Sequence, residues 1–189
     1  MKTEVYFVRH AQPDFAVRDD STRPLSEKGM ADARRVTATL IDKNITAMYS
    51  SPFKRAVDTI SGLAESIGIE VTVERDFRER KVGEWVEDFR AFSQKQWEDF
   101  DYKLAEGESL REVQKRNIFA LFEVIGKNHG RSVVIATHGT ALSTTVNYFD
   151  PGFGYDDFWH IVDKMPYILR FRFDGMELEC IDEIELAPY

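Results

Sequence analysis

Short apolar runs of strand length alternate along this chain with stretches whose apolar positions recur every three or four residues. Lys2 to Val8 (KTEVYFV) is β-branched and aromatic and predicts a strand. A polar loop from Gln12 to Pro24 follows. Ser26 is the predicted N-cap of a helix reaching about Asp42, with Ala31, Val36 and Leu40 among its apolar positions. Ala47 to Tyr49 predicts a short second strand. Ser51 as N-cap and Pro52 in the first turn predict a second helix, which runs to about Ile67 and ends at Gly68. Glu70 to Val73 alternates like a strand.

The rhythm breaks between 76 and 107. This stretch is charged and aromatic at once (Phe77, Trp85, Phe89, Phe92, Trp97, Phe100, Tyr102) and is expected to be a lid insertion packed over a site. Ser109 and Glu112 have capping-box spacing ahead of a helix to about Lys127. Ser132 to Thr137 (SVVIAT) is the strongest strand signal, and a helix from about Ala141 to Tyr148 follows it. Two final strands, about Tyr167 to Phe173 and Leu178 to Ile184, flank the hairpin signal Asp174-Gly175. Strand–helix alternation of this kind implies an α/β three-layer sandwich: a mainly parallel sheet with helices on both faces and a small lid insertion. One domain is expected over 1-189.

Charge narrows the function. The net charge of −8 argues against general nucleic-acid binding, which needs a basic face. It leaves room for a small anionic substrate, because a local arginine cluster reverses the sign of a pocket. The lone Cys180 has no intrachain disulfide partner and is expected to be a buried structural thiol. The sequence shows no signal peptide and no apolar run of membrane-spanning length, so no membrane association and a cytoplasmic location are expected.

Four polar clusters fall at element junctions: Arg9-His10, Ser50 to Arg55, Glu79-Arg80 and His138-Gly139. Three of them lie near the C-terminal ends of strands. In a parallel sheet those ends share one edge, so distant segments converge there. Together they offer two imidazoles, several guanidinium groups and a carboxylate. Phosphoryl transfer uses such a set: a nucleophile that splits the reaction in two, cations for the phosphoryl oxygens, and an acid for the departing alkoxide.

Six motifs occur in order: Val8-Arg9-His10-Ala11, Pro24-Leu25-Ser26-Glu27-Lys28-Gly29, Tyr49-Ser50-Ser51-Pro52-Phe53-Lys54-Arg55-Ala56, Glu79 with Gly83-Glu84-Trp85, Gly107-Glu108-Ser109, and Thr137-His138-Gly139. Over about three-quarters of its length the chain therefore resembles the histidine phosphatase superfamily, also called phosphoglycerate mutase-like. The resemblance implies that His10 is the phosphorylated nucleophile and that Arg9, Arg55 and His138 bind the phosphoryl group. It implies Glu79 as the proton donor, favoured over Glu84 by register. To donate near neutral pH Glu79 must hold its proton, which burial among the lid aromatics or contact with a bound phosphate favours. Gln12, Arg80 and Trp85 are candidate substrate contacts. Ala11 stands where many members have glycine, and Gln12-Pro13-Asp14-Phe15 departs from the family's loop. His129 and His160 match no motif and are expected to be structural or exposed.

The implied function is a metal-independent phosphomonoesterase acting through a phosphohistidine on a small phosphorylated metabolite, with no cofactor. Mutase-type phosphoryl transfer uses the same constellation. A non-catalytic phospho-ligand-binding protein is the alternative of another class. Cys180 lacks the arginine spacing of a cysteine phosphatase loop. Asp99-Phe100-Asp101 resembles an aspartate-phosphatase dyad but follows no apolar strand. Monomer and homodimer are both open.

Overall fold

A computed structural model describes residues 1–189. Six strands form one sheet in the order β3-β2-β4-β1-β5-β6. They are β1 (Lys2–Arg9), β2 (Ile45–Ser50), β3 (Val71–Val73), β4 (Ser132–Thr137), β5 (Tyr167–Asp174) and β6 (Glu177–Glu183). The first four run parallel, and β5 and β6 join antiparallel at one side. Helices α1 (Glu27–Leu40), α2 (Lys54–Ile67), α3 (Phe89–Glu98), α4 (Leu110–Lys127), α5 (Gly139–Phe149) and α6 (Tyr155–Val162) complete the fold.

Strand alternation divides the core between the two sheet faces. Val5, Phe7, Val133 and Ile135 pack with α4 and α5 residues such as Leu121, Ile125 and Leu142. Tyr6, Val8, Val134 and Ala136 face the other way, onto Val36 and Leu40 of α1 and Ile60 and Leu63 of α2. Apolar residues on both faces of β1 and β4 produce the continuous apolar runs seen in the sequence.

Local chemistry sets several element ends. Ser26 caps α1 through the Gly29 N–H, and Ser109 with Glu112 forms the capping box of α4. Gly68 closes α2 in the left-handed conformation at φ 69°. The start of α2 differs from the sequence reading. Its N-cap is Phe53, with no side-chain cap; the Ser51 hydroxyl accepts the Phe53 N–H at 3.2 Å and also contacts His138, while the Lys54 N–H goes to the Ser21 carbonyl. Helix α6 was not expected; it is short and follows a Gly-Phe-Gly segment. The hairpin loop is Gly175-Met176, one residue beyond the expected pair. Cys180 is half-buried on β6, donating to Asp182, and not a core thiol, because β6 is an edge strand.

The 76–107 stretch has two parts. Phe77 is fully buried in the core beneath α4, in a single 3-10 turn (Arg75–Phe77), so the first residues form a floor and no lid. From Phe89 onward α3 packs on α6: the Phe89 and Trp159 rings lie 6.1 Å apart, and Trp97 and Phe158 5.7 Å apart. Trp85, between the two parts, is 93% exposed. No helix is long and apolar enough to cross a membrane.

Candidate active site

Strand register creates the centre of the site. Arg9 pairs with Thr137 across the parallel β1–β4 ladder, so His10 and His138 emerge side by side. The His10 N–H donates to the Thr137 carbonyl at 3.1 Å, and the two rings stand edge to face with centroids 5.2 Å apart. On the other side of β4 the Ser51 N–H donates to the Ala136 carbonyl, placing the Ser51 hydroxyl 2.7 Å from His138 Nε2.

Hydrogen bonding fixes the state of His10. Its Nδ1 lies 2.8 Å from the Ala11 carbonyl, which only accepts, so Nδ1 carries the ring proton. Nε2 therefore presents a lone pair, which accepts from Arg55 Nε at 3.2 Å. Burial, then the charges of Arg9 and Arg55, hold the imidazolium form of His10 well below the ordinary value of 6.5. His138 is pushed the same way, first by burial and then by His10, Arg55 and Arg9. His138 is fully buried, and its Nδ1 has no partner.

Two arginines converge on this centre. Arg55 sits in the first turn of α2, 4% exposed, where the helix dipole adds to its charge. Its Nη1 donates to the Asp20 carbonyl at 2.5 Å. Arg9 is anchored by its Nη1, which lies 2.8, 2.6 and 2.5 Å from the carbonyls of Ile161, Val162 and Lys164 at the end of α6. Helix C-terminal carbonyls lack intrahelical donors, so the unexpected α6 is what orients this arginine. Arg9 Nε is buried without a partner. Burial lowers its pKa to about 10, which leaves it charged at neutral pH.

Glu79 faces the same cleft from the floor segment. One oxygen accepts the Arg80 N–H at 2.7 Å and the other the Thr140 N–H, in the first turn of α5, at 3.1 Å. Glu79 is half-buried, and of the lid aromatics only Phe89 shares the cleft lining with it. Arg116 of α4 holds its backbone: Nη1 donates to the carbonyls of Asp76 and Arg78 at 2.7 and 2.8 Å, and Nη2 reaches that of Glu79 at 3.3 Å. Glu108 fixes Arg116 with two bonds, 2.9 and 3.0 Å long, and accepts the Lys81 N–H. Close glycine contact keeps this clamp compact: a Cβ on Gly83 would stand 2.5 Å from the Gly107 nitrogen. The Gly83 and Gly107 motifs therefore meet in space.

The resulting cleft, about 670 Å³, is lined by Arg9, His10, Asp20, Arg23, Arg55, Glu79, Arg80 and Lys81, with Phe15, Phe89 and Thr140 among the rest. Five cationic side chains face two carboxylates, in a chain whose net charge is −8. Arg80 is gripped by Gln96 and lies over the rings of Phe89 and Phe92, 5.3 and 5.1 Å from their centroids.

Gln12 and Trp85 stand outside this cleft. The Gln12 side chain accepts from the Ser26 hydroxyl at 3.1 Å instead. Trp85 borders an outer cavity with Phe15, Arg18 and Arg23, which adjoins the cleft because Phe15 and Arg23 line both. His129 and His160 are exposed and do not line the cleft. Asp20, Arg23 and Phe15 were missed in the sequence because they lie in an irregular polar loop with no motif. Their one signal was the pairing of two acids and two arginines within 18–23.

The family model for the histidine phosphatase superfamily (branch 1) matches residues 5–181. The "Putative phosphoserine phosphatase 2" of Hydrogenobacter thermophilus is 26% identical over 90% of both chains. Phosphoglycerate mutase-like protein 4 of Arabidopsis thaliana is 30% identical over 74% of this chain and 67% of its own. The structure of Bacillus stearothermophilus YhfR superposes with a TM-score of 0.77 at 25% identity, covering 94% of each chain. With the family model spanning nearly the whole chain, and Arg9, His10, Arg55 and Glu79 of its motifs meeting in one cleft, this protein belongs to the histidine phosphatase superfamily.

Proposed function

We propose that the protein is a phosphomonoesterase that hydrolyses a small phosphorylated metabolite through a phosphohistidine at His10. The observation that carries this is the neutral, buried His10 with its Nε2 lone pair directed at Arg55 inside a cationic cleft. Arg55 and the unpartnered Nε of Arg9 take the equatorial oxygens of the phosphoryl group. Binding draws Arg55 from Nε2, which then attacks phosphorus in line. The N–P bond forms as the P–O bond to the alcohol breaks. Glu79 gives its proton to the departing alkoxide. Water then attacks the phosphohistidine, Glu79 takes its proton, and His10 is regenerated with inorganic phosphate released. We assign His138, through its unpartnered Nδ1, as the second donor to the phosphoryl oxygens.

Hydrolysis is favoured over mutase chemistry by coverage. The phosphatase-named relative matches 90% of the chain end to end, whereas the mutase-like one matches 74%. The test is phosphate release from a panel of phosphomonoesters with chelator present, wild type against His10→Ala. Turnover that survives chelation and vanishes in the mutant supports the reading. Turnover retained by the mutant refutes it.

A further inference from the structure

We propose that Asp20 is a built-in competitor for the anion-binding arginines, so that substrate enters and phosphate leaves by exchange with its carboxylate. The inference rests on the phosphoryl-site reading above. Asp20 Oδ1 lies 3.1 Å from Nη1 of Arg55 and 3.1 Å from Nη1 of Arg23, and Asp20 lines the same cleft as His10. One carboxylate oxygen thus bridges two guanidinium groups where an anionic ligand would use the same donors.

Neither arginine needs that carboxylate for its position. Arg55 is already held by the Asp20 backbone carbonyl at 2.5 Å and by His10 Nε2 at 3.2 Å. Arg23 is held by the carbonyls of Val17 and Arg18, at 2.7 and 3.2 Å. The turn itself is tied by Asp19, whose Oδ1 accepts from the Ser21 N–H at 2.8 Å and the Thr22 N–H at 3.2 Å. The Asp20 side chain is 52% exposed, so it swings into water with little desolvation change. A charge that is redundant for positioning, sits on the ligand donors and is free to leave behaves as a tethered anion. It weakens substrate and product binding together and speeds phosphate release.

The experiment measures inorganic phosphate binding by calorimetry, and KM and kcat on one phosphomonoester, for Asp20→Asn and Asp20→Ala. Asn keeps the shape and removes the charge. Two partly exposed ion pairs set the scale, so phosphate should bind about three- to tenfold more tightly, with KM falling alike. Asp14→Asn is the control. It removes the same charge from the same loop, where the Asp14 side chain accepts only the Ala16 N–H at 2.9 Å. It should shift phosphate affinity less than about twofold. Equal shifts in D14N and D20N reduce the effect to net charge and overturn the proposal. Weaker phosphate binding with lower kcat in both Asp20 variants makes Asp20 a positioning residue and overturns it too. Wild type that binds phosphate with no change on mutation rejects the competitor alone. Wild type and variants that bind no phosphate reject the phosphoryl site, and the competitor with it.

Discussion

Replacing Arg116 by methionine should separate acid catalysis from phosphoryl binding. Arg116 touches neither His10 nor the arginines at the cleft; it holds the backbone of 76–79 and pairs with Glu108. The two side chains are 10% and 16% exposed, so the pair is largely withdrawn from water. Removing one partner of such a pair costs about 3 kcal/mol. The remaining Arg78 contact at 2.8 Å and the Lys81 N–H keep Glu108 from being stranded, which places the loss at the lower end of that range. For a chain of this size the midpoint of thermal unfolding should fall by roughly 6–12 °C. Activity should fall selectively. A displacement of Glu79 by about 1 Å lowers kcat by about 100-fold where the leaving group needs its proton. Alkyl phosphates need it and p-nitrophenyl phosphate does not. Steady-state rates on both esters, well below the unfolding midpoint, should show the large loss on the alkyl ester and a few-fold loss on the aryl ester. Equal losses on both, or an unchanged alkyl rate, would refute the view that this clamp aims Glu79.

Three further outcomes follow from the structure. Gly29→Ala should destabilise the protein by about 3 kcal/mol or more, because its Cβ would stand 2.1 Å from the Gln12 carbonyl oxygen, a backbone atom; denaturant unfolding reads it, and a neutral result contradicts the close contact. Because the folded pKa of both His10 and His138 lies well below 6.5, the unfolded chain takes up protons first as pH falls. Their contribution to stability is thus fully present above pH 6.5 and lost as pH drops below it, and His10→Asn should flatten that slope in urea titrations. The acid limb of kcat/KM should likewise lie below 6.5, since the nucleophile stays neutral there.

The legible parts of the fold were those set by local chemistry. Apolar β1 and β4, the capping box at Ser109 and the Gly68 stop depend on neighbours close in sequence. The misread parts depend on distant partners. Ser51 has the composition of an N-cap, but its hydroxyl is shared between the Phe53 N–H and His138, 87 residues away, and the Lys54 N–H goes to the Ser21 carbonyl. Phe77 has the look of a lid aromatic, yet α4 and the sheet bury it. Helix α6 spans eight residues, too few for a periodic signal, and its role at the cleft, holding Arg9, shows only in three dimensions. At the site, His10, Arg9, Arg55, Glu79 and Arg80 were nominated by position at element ends, and the shared sheet edge does bring them to one cleft. Gln12 was nominated as a partial substitute for the phosphate contacts of the family's loop, but α1 approaches so closely that its side chain accepts from Ser26. The Asp20–Arg23 loop carried no periodicity or motif, so its contribution emerges only once Arg55 is seen to reach across to it.

The most direct test of the central claim is to mix enzyme with a phosphorus-labelled phosphomonoester, quench in milliseconds in alkali, and map the labelled residue by peptide mass spectrometry. Phosphate attached to His10, stable to base, lost in acid and absent from His10→Ala is the expected result. Steady turnover with no label on His10 at any quench time would contradict it and point to direct attack by water.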